Sequence, residues 1–451
     1  MVELTALLTL FATGAPADAV AIVEWGDARA IVRQTPDGDE RLVYVRIGNP
    51  GDEPLTGATL VGAGARRDLI TVPPGGCMDT LWLPADTNVV EATLLVGQEV
   101  RWEGLLEVGP LPGDAVRIEA SPTVAIEQLQ PLMLRGANYL PRLTPWPGLW
   151  READRRVFQA EFAALEELFV NTLRTFYFFD TDSGLITQEG LMTPEILARI
   201  DVLLDEAEAH GMKVMICLGG ALPPLEDHDT FRRFMRSGVE PFRYDGRVLM
   251  WDLINEPGGS EGPKATPELA RWIQVMYPEL VDLAPEHMIT VGLAWQFDQL
   301  WDLGIQPPVG QFHNYSGAVA VQPEGEPPVR NVADDLTDIL EFIDHRPLIV
   351  GEFGYTTHRT DARPDASDQR QLEIYEGVLL GAEVAGIAGV YNWIVFDFVP
   401  DWMGVEEQHF GVIRTDDSLK PAGVMLRDTY RRWMDNVRAP WELPRALQPR
   451  H

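Results

Sequence analysis

The chain has 451 residues, 45% of them hydrophobic and 23% charged, with 13 tryptophans and a formal net charge of −33. That composition belongs to a folded globular chain too long for one ordinary core. The acidity excludes nucleic acid and membrane partners, since nucleic acids and anionic bilayers need a basic surface. Cys77 and Cys217 fall in different predicted domains, which argues against a disulfide framework and against a cysteine metal site.

The stretch "LTALLTLFATGAPADA" has the apolar run and small residues of a signal peptide, but no Lys or Arg precedes it and Glu3 does. It reads as a first strand of the folded chain. Residues 19–118 then supply short β-like runs: "AVAIVEW", "ARAIVRQT", "RLVYVRIGN", "RDLITVP", "TLWLPA", "VVEATLLVG" and "VRWEGLLEVG". Asp-Gly, Asn-Pro-Gly-Asp and Pro-Pro-Gly-Gly separate them as turns. About seven strands in about 100 residues predict an immunoglobulin-like β-sandwich. Trp25, Trp82 and Trp102 are candidate sugar platforms there, although aromatics in a sandwich are more often packing. "PLPGD" at 110–114 and "ASPT" at 120–123 read as linker.

From about residue 130 apolar runs recur every 25–45 residues: "LMLRGANYL", "VNTLRTF", "KVMICLGG", "RVLMWDLINEP", "HMITVGL", "VGQFHNY", "RPLIVGEFGY" and "AGVYNWIVFD". Amphipathic segments lie between them, among them "TPEILARIDVLLDEAEAHG" with a Thr N-cap and a Gly stop. Eight such units predict a (β/α)8 TIM barrel over 123–451, preceded by the sandwich over 1–122. A doubly wound open sheet shares the alternation, but no Gly-rich phosphate loop follows the first strand.

Polar residues end the predicted strands, where a barrel collects its active site. They are Asn138, Arg174, Asn255 with Glu256, His313 with Tyr315, Glu352 and Trp393. Glu352 follows "PLIVG", too apolar a run to carry a charge without a use for it. Two carboxylates facing one cleft suit glycosidic hydrolysis, one protonating the leaving oxygen and the other attacking the anomeric carbon. Arg174 is the candidate cation for keeping a carboxylate ionised, with Tyr315 as a donor to Glu352. No cofactor and no metal are expected; His313 has no second His or Asp at ligand spacing.

With these residues in order, the sequence resembles a retaining glycoside hydrolase of clan A, closest to family 5, the cellulase and mannanase family. The resemblance spans roughly 130–435 and rests on "INEP" at 254–257, "VGEFGY" at 350–355, Arg174 in "TLRTF", His313-x-Tyr315, Trp393 in "YNWIVFD" and "FGVIRTDDSLKPAG" at 410–423. It implies Glu256 as acid/base, Glu352 as nucleophile, Asn255 on the sugar 2-hydroxyl, Trp393 beneath the sugar and a carbohydrate substrate. One position departs: the family commonly ends strand three with histidine, and "CLGGALPP" stands here, with His228 further on. Trp146, Trp150, Trp295, Trp301 and Trp402 are candidates for further subsites. A transglycosylase with the same covalent intermediate, and a non-catalytic carbohydrate-binding barrel, are the alternatives.

Asn255 and Glu256 are neighbours, and neighbours on a regular strand face opposite ways. For both to reach one sugar the strand has to become irregular, which Pro257 favours.

Overall fold

The computed structural model describes residues 20–442, apart from 24–28, 147, 153, 178, 180–185, 220–224, 226, 258–265, 295–302, 316–331 and 401–403. The expected first strand at the N-terminus, Trp25, Trp295, Trp301 and Trp402 therefore lie outside the described residues.

Two compact units emerge. The first contains residues up to 122 together with 179–201 and 226–245; the second contains 123–178, 202–225 and the chain from 246 onward. In the first, strands β1 (Val20–Ile22), β2 (Ile31–Thr35), β3 (Gly38–Ile47), β6 (Cys77–Pro84) and β9 (Val116–Ile118) form one sheet. Strands β4 (Ala58–Gly62), β5 (Ala65–Asp68), β7 (Val89–Val96) and β8 (Glu99–Glu107) form the other. Alternate residues of both sheets, including Val43, Val45, Leu81, Leu60, Leu94 and Leu106, share one core, so the pair is a β-sandwich.

Several details differ from the reading of the sequence. β4, in the glycine-flanked "ATLVG", was not among the expected strands, whereas "RDLITVP" gives only Arg67 and Asp68 to the end of β5 and a bridge from Val72 to Leu55. There Leu69 and Ile70 turn into the interior instead of continuing a ladder. β9 lies between the two supposed linker pieces and pairs in parallel with β2. Trp82 is no sugar platform: Arg33 covers its ring at 3.9 Å and its indole N–H donates to Glu240 at 3.1 Å. Trp102 packs, partly buried, against the core.

In the second unit β10 (Leu134–Asn138), β11 (Thr172–Phe176), β12 (Lys213–Cys217), β13 (Val248–Asn255), β14 (Met288–Leu293), β15 (Gly310–Asn314), β16 (Leu348–Phe353) and β17 (Gly389–Asn392) close a parallel barrel in chain order. Each of the eight apolar runs became one staple of it. The helix over Arg155–Glu167 starts where Asp154 accepts from the N–H groups of Arg156 and Val157, and it buries Phe158, Phe162 and Leu165 at helical spacing. Met133, Leu134, Met215, Leu249, Met250, Met288, Val309 and Ile349 fill one end of the barrel with hydrocarbon. Polar side chains are thereby left to the carboxyl ends of the strands. Among the described residues no helix is long and apolar enough to cross a membrane.

Candidate active site

Strand alternation turns Arg174 of β11 into the barrel, where it is fully buried. A guanidinium removed from water needs partners for its N–H groups. Nε and Nη2 donate to Asp252 at 3.1 and 2.8 Å, and Nη1 donates to Asn138 at 2.9 Å. Nη1 also reaches Glu352 at 2.5 Å, and Nη2 reaches the Asn255 amide oxygen at 2.7 Å. Burial lowers the pKa of Arg174, but the charges of Asp252 and Glu352 outweigh it and the net shift is upward. The cation is permanent and cannot swing away.

β13 does become irregular at its end. Its pairing with β14 shifts between Asp252 and Asn255, and Glu256 has φ 45°, a left-handed conformation uncommon outside glycine. Such a residue costs about 1–3 kcal/mol unless its surroundings over-determine it. Here they do: the Glu256 N–H donates to Gly292 at 2.7 Å and the Asn255 N–H to Gly219 at 2.7 Å. The distortion lets two adjacent side chains serve one cavity, Asn255 reaching Arg174 and Glu256 reaching His313.

His313 Nδ1 lies 2.8 Å from Glu256 Oε1 and 3.6 Å from Glu352 Oε2. The Tyr315 hydroxyl donates to Glu352 Oε2 at 2.9 Å. Burial, then the charges of Glu352, Glu256 and Glu407, push the Tyr315 pKa well above its ordinary value, so the phenol stays a donor. For Glu256 burial pushes upward, but the hydrogen bond from His313, with the charge of Arg174 behind it, holds the carboxyl below its usual range.

One oxygen each of Glu256 and Glu352 and one nitrogen of His313 lie within 4.8 Å of one another. The strands bring this proximity about; spacing along the chain contains no trace of it. A cation could be spanned, yet Arg174 and Tyr315 already serve Glu352 and His313 already serves Glu256. The set has the chemistry of a hydrogen-bonded carboxylate pair, and we assign no metal to it.

Arg174, Asn255, Glu256, His313, Tyr315 and Glu352 thus come together. Trp393 is half-buried beside Phe176 at 6.0 Å, its indole N–H donating to Glu407 at 2.9 Å. Trp150 instead packs: it is buried and donates to the Phe176 carbonyl. Trp146 is half-buried, and His228 begins the helix over His228–Val239. Cys217 ends β12, the strand at which the sequence departs from the family's usual histidine; burial, then Asp252, push its thiol pKa well up.

Three participants escaped the sequence reading. Asp252 is the buried anion that fixes Arg174, also accepting from the Gly292 N–H at 2.9 Å. Gln311 donates to Asp252 at 3.0 Å. Glu407 anchors Trp393, and burial first, then Glu352, raise its pKa against the opposing Trp393 hydrogen bond. For the first two a signal existed: each is a polar residue inside an otherwise apolar strand.

The family description cellulase (glycosyl hydrolase family 5) matches residues 154–379, half of the chain. No curated protein matches it. Among solved structures it is similar to the exo-β-1,4-mannosidase Op5Man5 from Opitutaceae bacterium strain TAV5, with 19% identity, a TM-score of 0.53, and coverage of 68% of this chain and 60% of that one. A GH5_18 protein from Streptomyces cattleya in complex with Manβ1-4GlcNAc gives 17% identity, a TM-score of 0.55 and coverage of 68% and 82%. A GH2 β-galacturonidase from Eisenbergiella tayi gives 15%, 0.51, and 92% and 72%. The chain therefore spans less than two thirds of the length of the first of these, and at such identities the likeness is one of fold.

Proposed function

The chain belongs to glycosyl hydrolase family 5, and from that premise we propose that it cleaves a β-linked glycoside with retention of configuration. The observation that carries this reading is the 4.8 Å limit on the separation of the Glu256 and Glu352 oxygens. Retaining enzymes hold their carboxyl groups about 5–5.5 Å apart, and inverting ones ~6.5–9.5 Å, to admit a water.

In the first step a Glu352 carboxylate oxygen forms a bond to the anomeric carbon while the bond to the leaving oxygen breaks. Glu256 gives that oxygen its proton. Arg174 and Tyr315 aim Glu352 and bear its charge, and Asn255 is placed for the 2-hydroxyl. In the second step Glu256 takes a proton from water, the water oxygen bonds to the anomeric carbon, and Glu352 leaves as carboxylate. The low pKa direction of Glu256 suits the second step. For the first the carboxyl must hold a proton, so activity belongs on the acid side of neutrality. Trp393 lies beneath the sugar. The division at 122/123 into sandwich and catalytic barrel belongs to the same proposal. β-Mannosides are the first substrates to try, because the Opitutaceae neighbour is named for them.

Glu256→Ala tests the assignment. A dinitrophenyl glycoside needs no protonation, so the variant should form the glycosyl-enzyme and then stall. Azide needs no general base and should restore turnover, giving a β-configured glycosyl azide. An α-configured azide, or rescue of Glu352→Ala instead, refutes the scheme.

A further inference from the structure

We propose that Gln311 sets the tautomer of His313, so that the imidazole presents its single proton, on Nδ1, to Glu256. The proposal deepens the catalytic reading and rests on it for its kinetic part only. Gln311 and His313 are two residues apart on β15 and so face the same way. The Gln311 amide nitrogen lies 3.0 Å from Asp252 Oδ2 and 3.3 Å from His313 Nε2.

Asp252 is fully buried and ion-paired with Arg174 at 2.8 Å, so it is an acceptor only. It therefore requires the nitrogen side of the amide, which assigns the amide orientation from its bonding. One amide hydrogen goes to Asp252 and the other points at His313 Nε2. That ring nitrogen has to offer its lone pair, and the proton is left on Nδ1, which faces Glu256 Oε1 at 2.8 Å.

Two further observations tie the amide to this task. The amide has a place made for it: a Cβ at Gly292 or Gly351 would come within 2.8 or 2.5 Å of its nitrogen, so the two glycines are what leave it room. Its Oε1 is buried with no hydrogen-bond partner, an arrangement that destabilises the fold. A side chain used for packing alone would not need an amide there. For catalysis the consequence is directional. A bare Nδ1 facing Glu256 would accept its proton; an Nδ1–H does not, and the acid proton remains available to the glycosidic oxygen. The ring lies against Glu256 and Glu352, and Gln311 acts through it as a positioning residue.

The wild-type protein labelled with 15N-histidine decides the tautomer, with the His313 signals assigned by their loss in His313→Asn. A protonated Nδ1 and an unprotonated Nε2 are expected at neutral pH; a protonated Nε2 overturns the proposal. Gln311→Met keeps the volume and removes the donor. The ring should then populate both tautomers, and kcat/KM should fall about tenfold more for a phenyl glycoside than for a dinitrophenyl one. An unaltered tautomer with equal losses on both substrates makes Gln311 packing only. If Gln311→Met does not fold, the wild-type spectrum alone decides. Azide rescue of Glu256→Ala is read separately: its failure beside the expected tautomer removes the catalytic reading, and its success beside the other tautomer removes this proposal.

Discussion

Arg135 and Arg174 occupy adjacent strands of one barrel, and neither is exposed. Arg135 stands near the apolar end. Its donors go to the carbonyl of Phe169 at 2.9 Å, the carbonyl of Val437 at 3.4 Å and the carboxylate of Glu442. Arg174 stands at the other end and binds side chains from β10, β13 and β16. Burial dominates for Arg135 and its pKa falls; two carboxylates dominate for Arg174 and its pKa rises. A buried charge in a barrel is thus not a sign of function by itself. What separates the two is the destination of the hydrogen bonds: backbone and the end of the chain in one case, convergent polar side chains in the other.

The comparison breaks or sharpens under substitution. The largest effect should come from Glu352→Ala, at which Arg174 keeps its geometry but has no nucleophile to aim; kcat/KM should drop by about 10⁴-fold or more on every leaving group. Arg174→Ala should cost about 10²–10³-fold. It should also destabilise by roughly 3–5 kcal/mol, because Asp252 is left buried and unpaired. The sequence alone leads one to expect little unfolding here; the buried Asp252 is the reason to expect more. Arg135→Ala should show a similar loss in denaturant midpoint with unchanged activity per folded molecule. Equal activity losses in the two arginine variants would abolish the distinction.

Smaller effects follow. His313→Ala removes the hydrogen bond that holds Glu256 down, so the Glu256 pKa rises and the alkaline limb of kcat/KM moves to higher pH. A downward shift would mean that another group sets that limb. Trp393→Phe keeps a ring and loses the N–H to Glu407; KM should rise a few-fold, roughly the worth of one hydrogen bond, with kcat little altered.

The barrel was legible because each strand is an apolar run closed by a turn signal, and its ends carried Arg174, His313 and Glu352 in plain view. Asp252 and Gln311 were hidden inside those runs. Period-two counting back reaches Gln311 from His313, but from Asn255 it misses Asp252, because the shift after Asp252 breaks the alternation. In the sandwich, hydrophobicity alone pointed to "RDLITVP", and the ladder went elsewhere. For Trp82 the deciding partner, Glu240, is distant in sequence.

Glu240 has one more consequence, which concerns the order in which the chain is made. It is the partner of Arg67 at 2.7 Å and of Trp82, and Met192 receives the Tyr44 hydroxyl at 2.6 Å. Both belong to segments, 179–201 and 226–245, that complete the first compact unit. A nascent chain therefore carries the nine described sandwich strands outside the ribosome long before residue 245 emerges, a wait on the order of ten seconds at ordinary rates of synthesis. During that wait Arg67 and Trp82 lack Glu240. The first unit therefore waits for two segments that are translated in among the early barrel strands, although it has all its residues well before the barrel does.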